Sequence, residues 1–291
     1  MTRAPDWLSF RRYAAFTAGM TLTLVMLGIY TAATGSGLAC AQQWPLCDGG
    51  VLPQTIPSFI EWFHRLWAMI TGFLILGVAA WAWRAGRSAR ERWAATVALV
   101  LTPLQAIFGA ITVTLNGALP GGYSAPIHAA HFVTGFGIFA GLAYAALLAY
   151  ERDRAYTRSL FSRTRGALGV AFAGLLAGVL FSRLPPLLAY RPWAQAAFFG
   201  VSLAAFAALV GATRWLGADG HRKLRVATAA AAALLFVGML LGRDLVYYTE
   251  TVRLVNGVVV AAAVLLTAAA LWTLRGVDDA ESVERLGSTQ N

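Results

Sequence analysis

The sequence predicts an all-α integral membrane protein, with eight transmembrane helices arranged as two tandem four-helix bundles. Three observations lead there. The chain is 58% hydrophobic and only 12% charged, with a mean hydropathy of +0.63, whereas soluble domains carry about 25% charged residues. It contains eight apolar runs, each near the roughly 20 residues a helix needs to cross hydrocarbon. Its basic residues fall on alternate connections between those runs. Helix is the state expected of every run, because backbone groups in lipid must be satisfied within their own segment.

In order, the runs are 13–35, 60–83, 93–115, 127–150, 166–182, 193–214, 224–242 and 254–274. The first holds about 22 apolar residues, more than the roughly 7–15 of a cleavable signal's core, so it reads as a retained span. The chain carries 23 Lys+Arg. Eighteen lie on one side, in the N-terminus, the second, fourth and sixth connections, and the tail. Four, Arg183, Arg191, Arg243 and Arg253, lie on the other, and Arg65 is inside a span. The positive-inside rule therefore places both termini in the cytoplasm and the odd-numbered connections outside, in a multi-pass protein of the plasma membrane. The net charge of +10 is absorbed by this asymmetry. No basic stripe is interleaved with exposed aromatics, which excludes a nucleic-acid partner; the lipid bilayer is the partner implied.

The connection at 151–165 divides the chain. Residues 1–12 form a cytoplasmic N-terminus, 13–150 a first four-helix bundle, 151–165 a basic linker, 166–275 a second bundle and 276–291 a polar tail expected to fray.

Ionisable groups at membrane depth are costly and mark function by default. The second run opens Glu61-Trp62-Phe63-His64-Arg65, which puts Glu61 and His64 on one helix face and Arg65 one turn from Glu61. The fourth opens His128-Ala129-Ala130-His131. His64 and His131 each lie about four residues past the outer end of a span, roughly 6 Å deep at the helical rise. Two imidazoles at one depth on two helices of one bundle suit axial ligation of a heme iron. His128 is the shallower alternative to His131, at the headgroup boundary. His221 falls in a basic loop and reads as solvated. The two cysteines, Cys40 and Cys47, share the first outer connection, where disulfides persist. A structural staple and a redox-active pair both fit them, whereas a zinc site lacks partner ligands.

Four motifs now give a resemblance. The Gly35-Ser36-Gly37-Leu38…Cys40…Trp44-Pro45-Leu46-Cys47 loop, the Glu61…His64-Arg65 helix start, Pro103-Leu104-Gln105…Gly109-Ala110-Ile111-Thr112-Val113 and Ala129-Ala130-His131-Phe132 together resemble the heme A synthase family. The likeness is specific over residues 13–150 and topological beyond. It implies two four-helix bundles, with heme O bound in the first through His64 and His131. It implies oxidation of the heme O C8 methyl to a formyl group by successive hydroxylations, for heme-copper oxidase assembly. Glu61 matches the family's catalytic carboxylate, with Arg65 and Gln105 in support. A heme O synthase and an electron acceptor are the partners implied, and the active site lies near the outer face.

The chain departs from the family pattern in its second half. Many members hold a heme b there on a second histidine pair. Here residues 166–291 contain only His221, and an overlay of the two repeats puts Asn256 in the place of His131 and Ala197 near that of His64. A second heme is therefore not expected. Arg183, Arg191, Arg243 and Arg253 are then candidates for heme propionates or for interface anchoring. The competing readings are a b-type cytochrome that only carries electrons, a membrane thiol–disulfide oxidoreductase working through Cys40 and Cys47, and a transporter. The last lacks paired Gly/Pro interruptions at mid-depth.

Overall fold

In the computed structural model, the described residues are 9–40, 43, 46–114, 124–153, 159–185, 187–188, 191–218, 220–242 and 245–288, the side chains after Arg275 excepted. Trp44, Pro45 and Arg243 of the preceding reading lie outside them, as do Arg3, Arg154 and Arg158 and the side chain of Arg285. All eight expected helices are present: α1 Phe10–Ala33, α2 Ile56–Arg84, α3 Ala89–Thr114, α4 Ala125–Arg152, α5 Leu160–Phe181, α6 Pro192–Ala218, α7 Arg222–Leu241 and α8 Glu250–Ser288. Each is long and apolar enough to cross a membrane.

Local chemistry sets where they start. Ser88 and Glu91 form a reciprocal cap on α3: the Glu91 carboxylate accepts from the Ser88 N–H at 2.8 Å and the Ser88 hydroxyl from the Glu91 N–H at 3.3 Å. The hydroxyls of Thr55 and Ser159 cap α2 and α5, each at 3.2 Å. These caps carry the helices beyond their apolar runs. The basic stretch 151–165 gives its first two residues to α4 and its last six to α5, and the polar tail continues α8 as helix to Ser288.

Helices α1 to α4 close a ring, α1 on α2, α2 on α3, α3 on α4 and α4 back on α1; α5 to α8 close a second ring in the same order. Helix α6 joins the rings by packing on α1 and α4. Phe132 and Phe136 of α4 supply the contact, with ring centroids 4.8 Å from Phe199 and 4.7 Å from Phe206 of α6.

The two cores differ. In the second bundle the buried apolar cluster runs the length of the helices, from Leu216 to Met239. In the first it is built from Phe10, Ala14, Ile75, Val78, Ala95, Ala98, Leu142 and Ala149 and their neighbours. All of these sit in the halves of α1–α4 nearest the Arg-rich ends. Toward the other end the buried residues are largely polar: Thr31, Ser58, Glu61, Thr71 and Thr134. The Arg-rich ends are tied together by Glu91, fully buried, which Arg87 meets at 2.6 Å and Arg152 at 3.3 Å, while Arg87 also reaches Asp153 at 2.9 Å.

Candidate functional site

The polar half of the first bundle is assembled from α2, α3, α4 and the disulfide loop that precedes α2. Glu61 stands one turn into α2 and is 5% exposed. Its Oε1 accepts from Arg65 Nε at 2.8 Å, the i,i+4 pairing the spacing predicts. The same guanidinium reaches outward. Arg65 Nη1 donates to the backbone carbonyls of Gln43 and Leu46, both at 2.9 Å. One side chain thus bridges the buried carboxylate and the loop that covers it, a use suited to the rigid fork of arginine.

That loop is closed by a Cys40–Cys47 disulfide, both cysteines fully buried. Asp48 and Gly49 follow with φ of 52° and 74°, and Cys47 and Gly50 bridge across them. This is the doubly left-handed turn that Asp-Gly favours, with glycine free of steric cost. Asp48 Oδ1 accepts from the Ser58 hydroxyl at 3.1 Å and Oδ2 from the Gln54 N–H at 2.9 Å. The Gln43 side-chain carbonyl accepts from the Gly49 N–H at 2.7 Å. The loop is therefore fastened to the start of α2 at several points.

His64 lies one turn below Glu61, and His131 faces the same interior from α4. Each imidazole leans on a glycine: a Cβ at Gly28 of α1 would lie 3.0 Å from His64 Cε1, and one at Gly109 of α3 3.4 Å from His131 Cε1. Nδ1 of each ring is buried and makes no hydrogen bond among the described residues. Buried polar atoms are normally paired, so these nitrogens set His64 and His131 apart from His128, whose Nδ1 faces a backbone carbonyl. Gln105 of α3 accepts from the Thr134 hydroxyl, and its Nε2 stands 3.4 Å from His131 Nε2. It therefore orients the His131 ring from the side.

His128 is turned back on its own helix, with Nδ1 3.0 Å from the Ser124 carbonyl. His221 precedes α7 at its N-cap. In the second bundle Asn256 is 1% exposed, and both of its amide atoms are unpartnered among the described residues. Arg183 stacks on Tyr248 at 5.3 Å and Arg253 meets Glu250 at 3.6 Å. Sequence reasoning missed Thr134 and Gly28, the contact of Gly109 with His131, and the hairpin at Asp48. The Asp-Gly pair was the one signal available for the hairpin.

The first bundle thus places two buried imidazoles and a buried carboxylate at membrane depth, in an eight-span protein where such groups mark a functional site. Its family follows from comparison: residues 55–275 match the model of COX15-CtaA, cytochrome oxidase assembly protein, and the chain belongs to that family. Among individual relatives, it is 41% identical over 132 residues to the protoheme IX farnesyltransferase of Halobacterium salinarum, covering 45% of this chain and 28% of that one. It is 37% identical over 142 residues to the heme A synthase of Bacillus licheniformis, covering 46% and 45%. To the heme A synthase of Bacillus pumilus it is 32% identical over 153 residues, covering 52% and 48%. The chain thus spans less than half the length of each of these relatives.

Proposed function

We propose that this chain is a heme A synthase, oxidising the C8 methyl of heme O to a formyl group by successive hydroxylations for heme-copper oxidase assembly. The observation that carries the reading is the pair of buried imidazoles, His64 and His131, on two helices of the first bundle, with the buried Glu61 carboxylate one turn from His64. Membership of the cytochrome oxidase assembly family and the two relatives named heme A synthase support it.

In this reading heme O is the substrate, held through its iron by His64 and His131 and supplying the redox centre at which the methyl is oxidised. The protein's own residues then do four things. Gly28 and Gly109 give the imidazoles room. Gln105 and Thr134 fix the His131 ring. Glu61, nearly buried and one turn above His64, takes a proton from attacking water or stabilises positive charge developing at the methyl carbon. Arg65 holds that carboxylate and draws the disulfide loop over it, limiting water at the reacting carbon. The Cys40–Cys47 disulfide acts as a staple for this cover. The second bundle supports the first without a bis-histidine heme of its own, since Asn256 and Ala197 stand where a second pair would. The site faces the outer side of the plasma membrane, with both termini cytoplasmic. A heme O synthase supplies the substrate, and a separate acceptor removes electrons.

The test is a pigment assay. The chain is expressed in a host that makes heme O but no heme A, and extracted hemes are separated by chromatography. Heme A with the wild type, lost with Glu61→Ala, supports the synthase and the role of Glu61. Bound heme with no heme A in either leaves an electron-carrying cytochrome.

A further inference from the structure

The connection between α1 and α2 is short of charge. Across residues 34–60 the only charged side chain is Asp48. That carboxylate is engaged within the connection itself, Oδ1 by the Ser58 hydroxyl and Oδ2 by the Gln54 N–H. A segment standing in water would carry more, since soluble domains are about 25% charged. In place of charge this one displays aliphatic side chains: Val51 is 73% exposed, Leu52 70% and Ile56 78%. An apolar patch of this kind marks a surface that meets protein or membrane.

Depth and continuity favour the membrane. The Asp48 hairpin is fastened to Ser58 in the first turn of α2, and the Leu46 carbonyl accepts from Arg65, a residue more than two turns into that helix. The loop therefore lies beside the opening turns of a membrane-spanning helix rather than above them. Ile56 also begins a stripe of α2 that continues through Phe59, Ile70 and Phe73, all exposed. On a helix that crosses the bilayer this stripe meets lipid, and Val51 and Leu52 extend it into the loop. We propose that the loop is an interfacial membrane anchor, with Val51, Leu52 and Ile56 set into the headgroup–acyl boundary of the leaflet at this end of the bundle. The expected depth is about 5–10 Å. The loop has no Lys or Arg, so neutral lipid suffices. Lipid then holds from outside the same cover that Arg65 holds from inside.

The full chain is reconstituted in phosphatidylcholine vesicles. Both native cysteines are buried in the disulfide, so a thiol-reactive fluorophore reports Val51→Cys or Leu52→Cys alone. Phe73→Cys, in the span of α2, is the reference for a lipid-facing site. The labels at 51 and 52 should be quenched by a nitroxide carried near the lipid headgroup, and should lose most of the iodide quenching that the free dye shows, with iodide on both faces. Phe73→Cys should respond more to a nitroxide at the chain end. Adding Leu52→Asp and Ile56→Asp to Val51→Cys should restore iodide quenching and remove most of the nitroxide quenching, while helical circular dichroism is retained. Iodide quenching equal to that of the free dye, with none from either nitroxide, overturns the proposal, because the loop would then stand in water. Protection from iodide and from both nitroxides also overturns it, since a partner protein or a second copy of this chain would then cover the patch. An unchanged pattern in the charged variant overturns it as well.

Discussion

Replacing Arg65 by alanine would strip a buried carboxylate of its partner and a loop of its fastening in one step. The Arg65 and Glu61 side chains are 12% and 6% exposed, so little solvent is at hand to compensate. Breaking such a pair from one side costs about 3–5 kcal/mol. The low end applies here, because the Gln43 and Leu46 carbonyls lie in an outer loop where water can replace the guanidinium. A loss of about 3 kcal/mol corresponds to a fall in the unfolding midpoint of roughly 6–12 °C for a chain of this size, measurable by tryptophan fluorescence in detergent. Heme A per folded protein should fall by at least tenfold, since Glu61 loses its orientation and its cover together. The double variant Glu61→Gln/Arg65→Ala should recover most of the stability and none of the activity, because no unpaired charge remains. Arg65→Lys keeps a charge beside Glu61 but cannot also span two carbonyls, so stability should return further than activity. Wild-type heme A and an unchanged midpoint in Arg65→Ala would refute the idea that this side chain couples the loop to the carboxylate.

Other substitutions separate the parts of the site. Glu61→Gln, nearly isosteric, should keep bound heme by absorbance and lose heme A by chromatography. Gly28→Val should displace the His64 ring, which would lie 3.0 Å from the new Cβ, and so abolish the bound-heme spectrum while helical circular dichroism persists. Cys40→Ser with Cys47→Ser opens a loop of sequence separation 7. A short ring supports about 2 kcal/mol of stabilisation, of which about half is retained here because Arg65 and Ser58 still hold the loop, so a midpoint drop of about 2–4 °C is expected. Glu91→Ala should lower stability by about 1–3 kcal/mol, since it uncaps α3 and leaves Arg87 with Asp153 alone; heme A per folded protein should be unchanged.

The spans were legible because hydropathy and length are properties of contiguous sequence, and all eight appear. Their ends were less so. An apolar run reports the hydrocarbon-buried part of a helix, while the helix itself starts at its cap. Ser88-Ala89-Arg90-Glu91 is a capping box readable in advance, and it starts α3 at Ala89 rather than at 93. The Glu61–Arg65 pair was legible for the same local reason, being one turn of one helix. Its reach to Gln43 and Leu46 was not, since nothing in sequence fixes the path of a loop some twenty residues upstream. Nor could Gly28 be picked out among 29 glycines, or the motif that contains Gly109 reveal what that glycine meets. Their significance lies in which imidazole each one meets, a fact of helix packing. Thr134 was similarly hidden: three residues past His131 it reads as ordinary helix, and only the approach of α3 brings Gln105 to it.

The unequal cores of the two bundles accord with the proposal that the first repeat carries the chemistry. In the second bundle, Phe199, Leu203, Leu209 and Met239 belong to one buried apolar cluster, with a cavity of about 900 Å³ at its Arg-rich end against α4. In the first, apolar packing ends at about the level of Ile75 and Ile138, and beyond it stand Thr71, Thr134, the two histidines and Glu61. A half-bundle with polar walls is unstable on its own terms, because its buried donors and acceptors want partners. The well-packed inner half, knotted by Glu91 with Arg87 and Arg152, and the flanking α6 supply the rigidity that the polar half lacks. Asn256 tests this division. By the overlay of the two repeats it stands in the place of His131, buried and with its amide unpartnered among the described residues. Asn256→Leu should therefore raise stability by about 1 kcal/mol, as removal of an unsatisfied buried polar group predicts, with heme A formation intact. A loss of stability or of activity would mean that the amide is engaged in the working protein, and that the second bundle does more than brace the first.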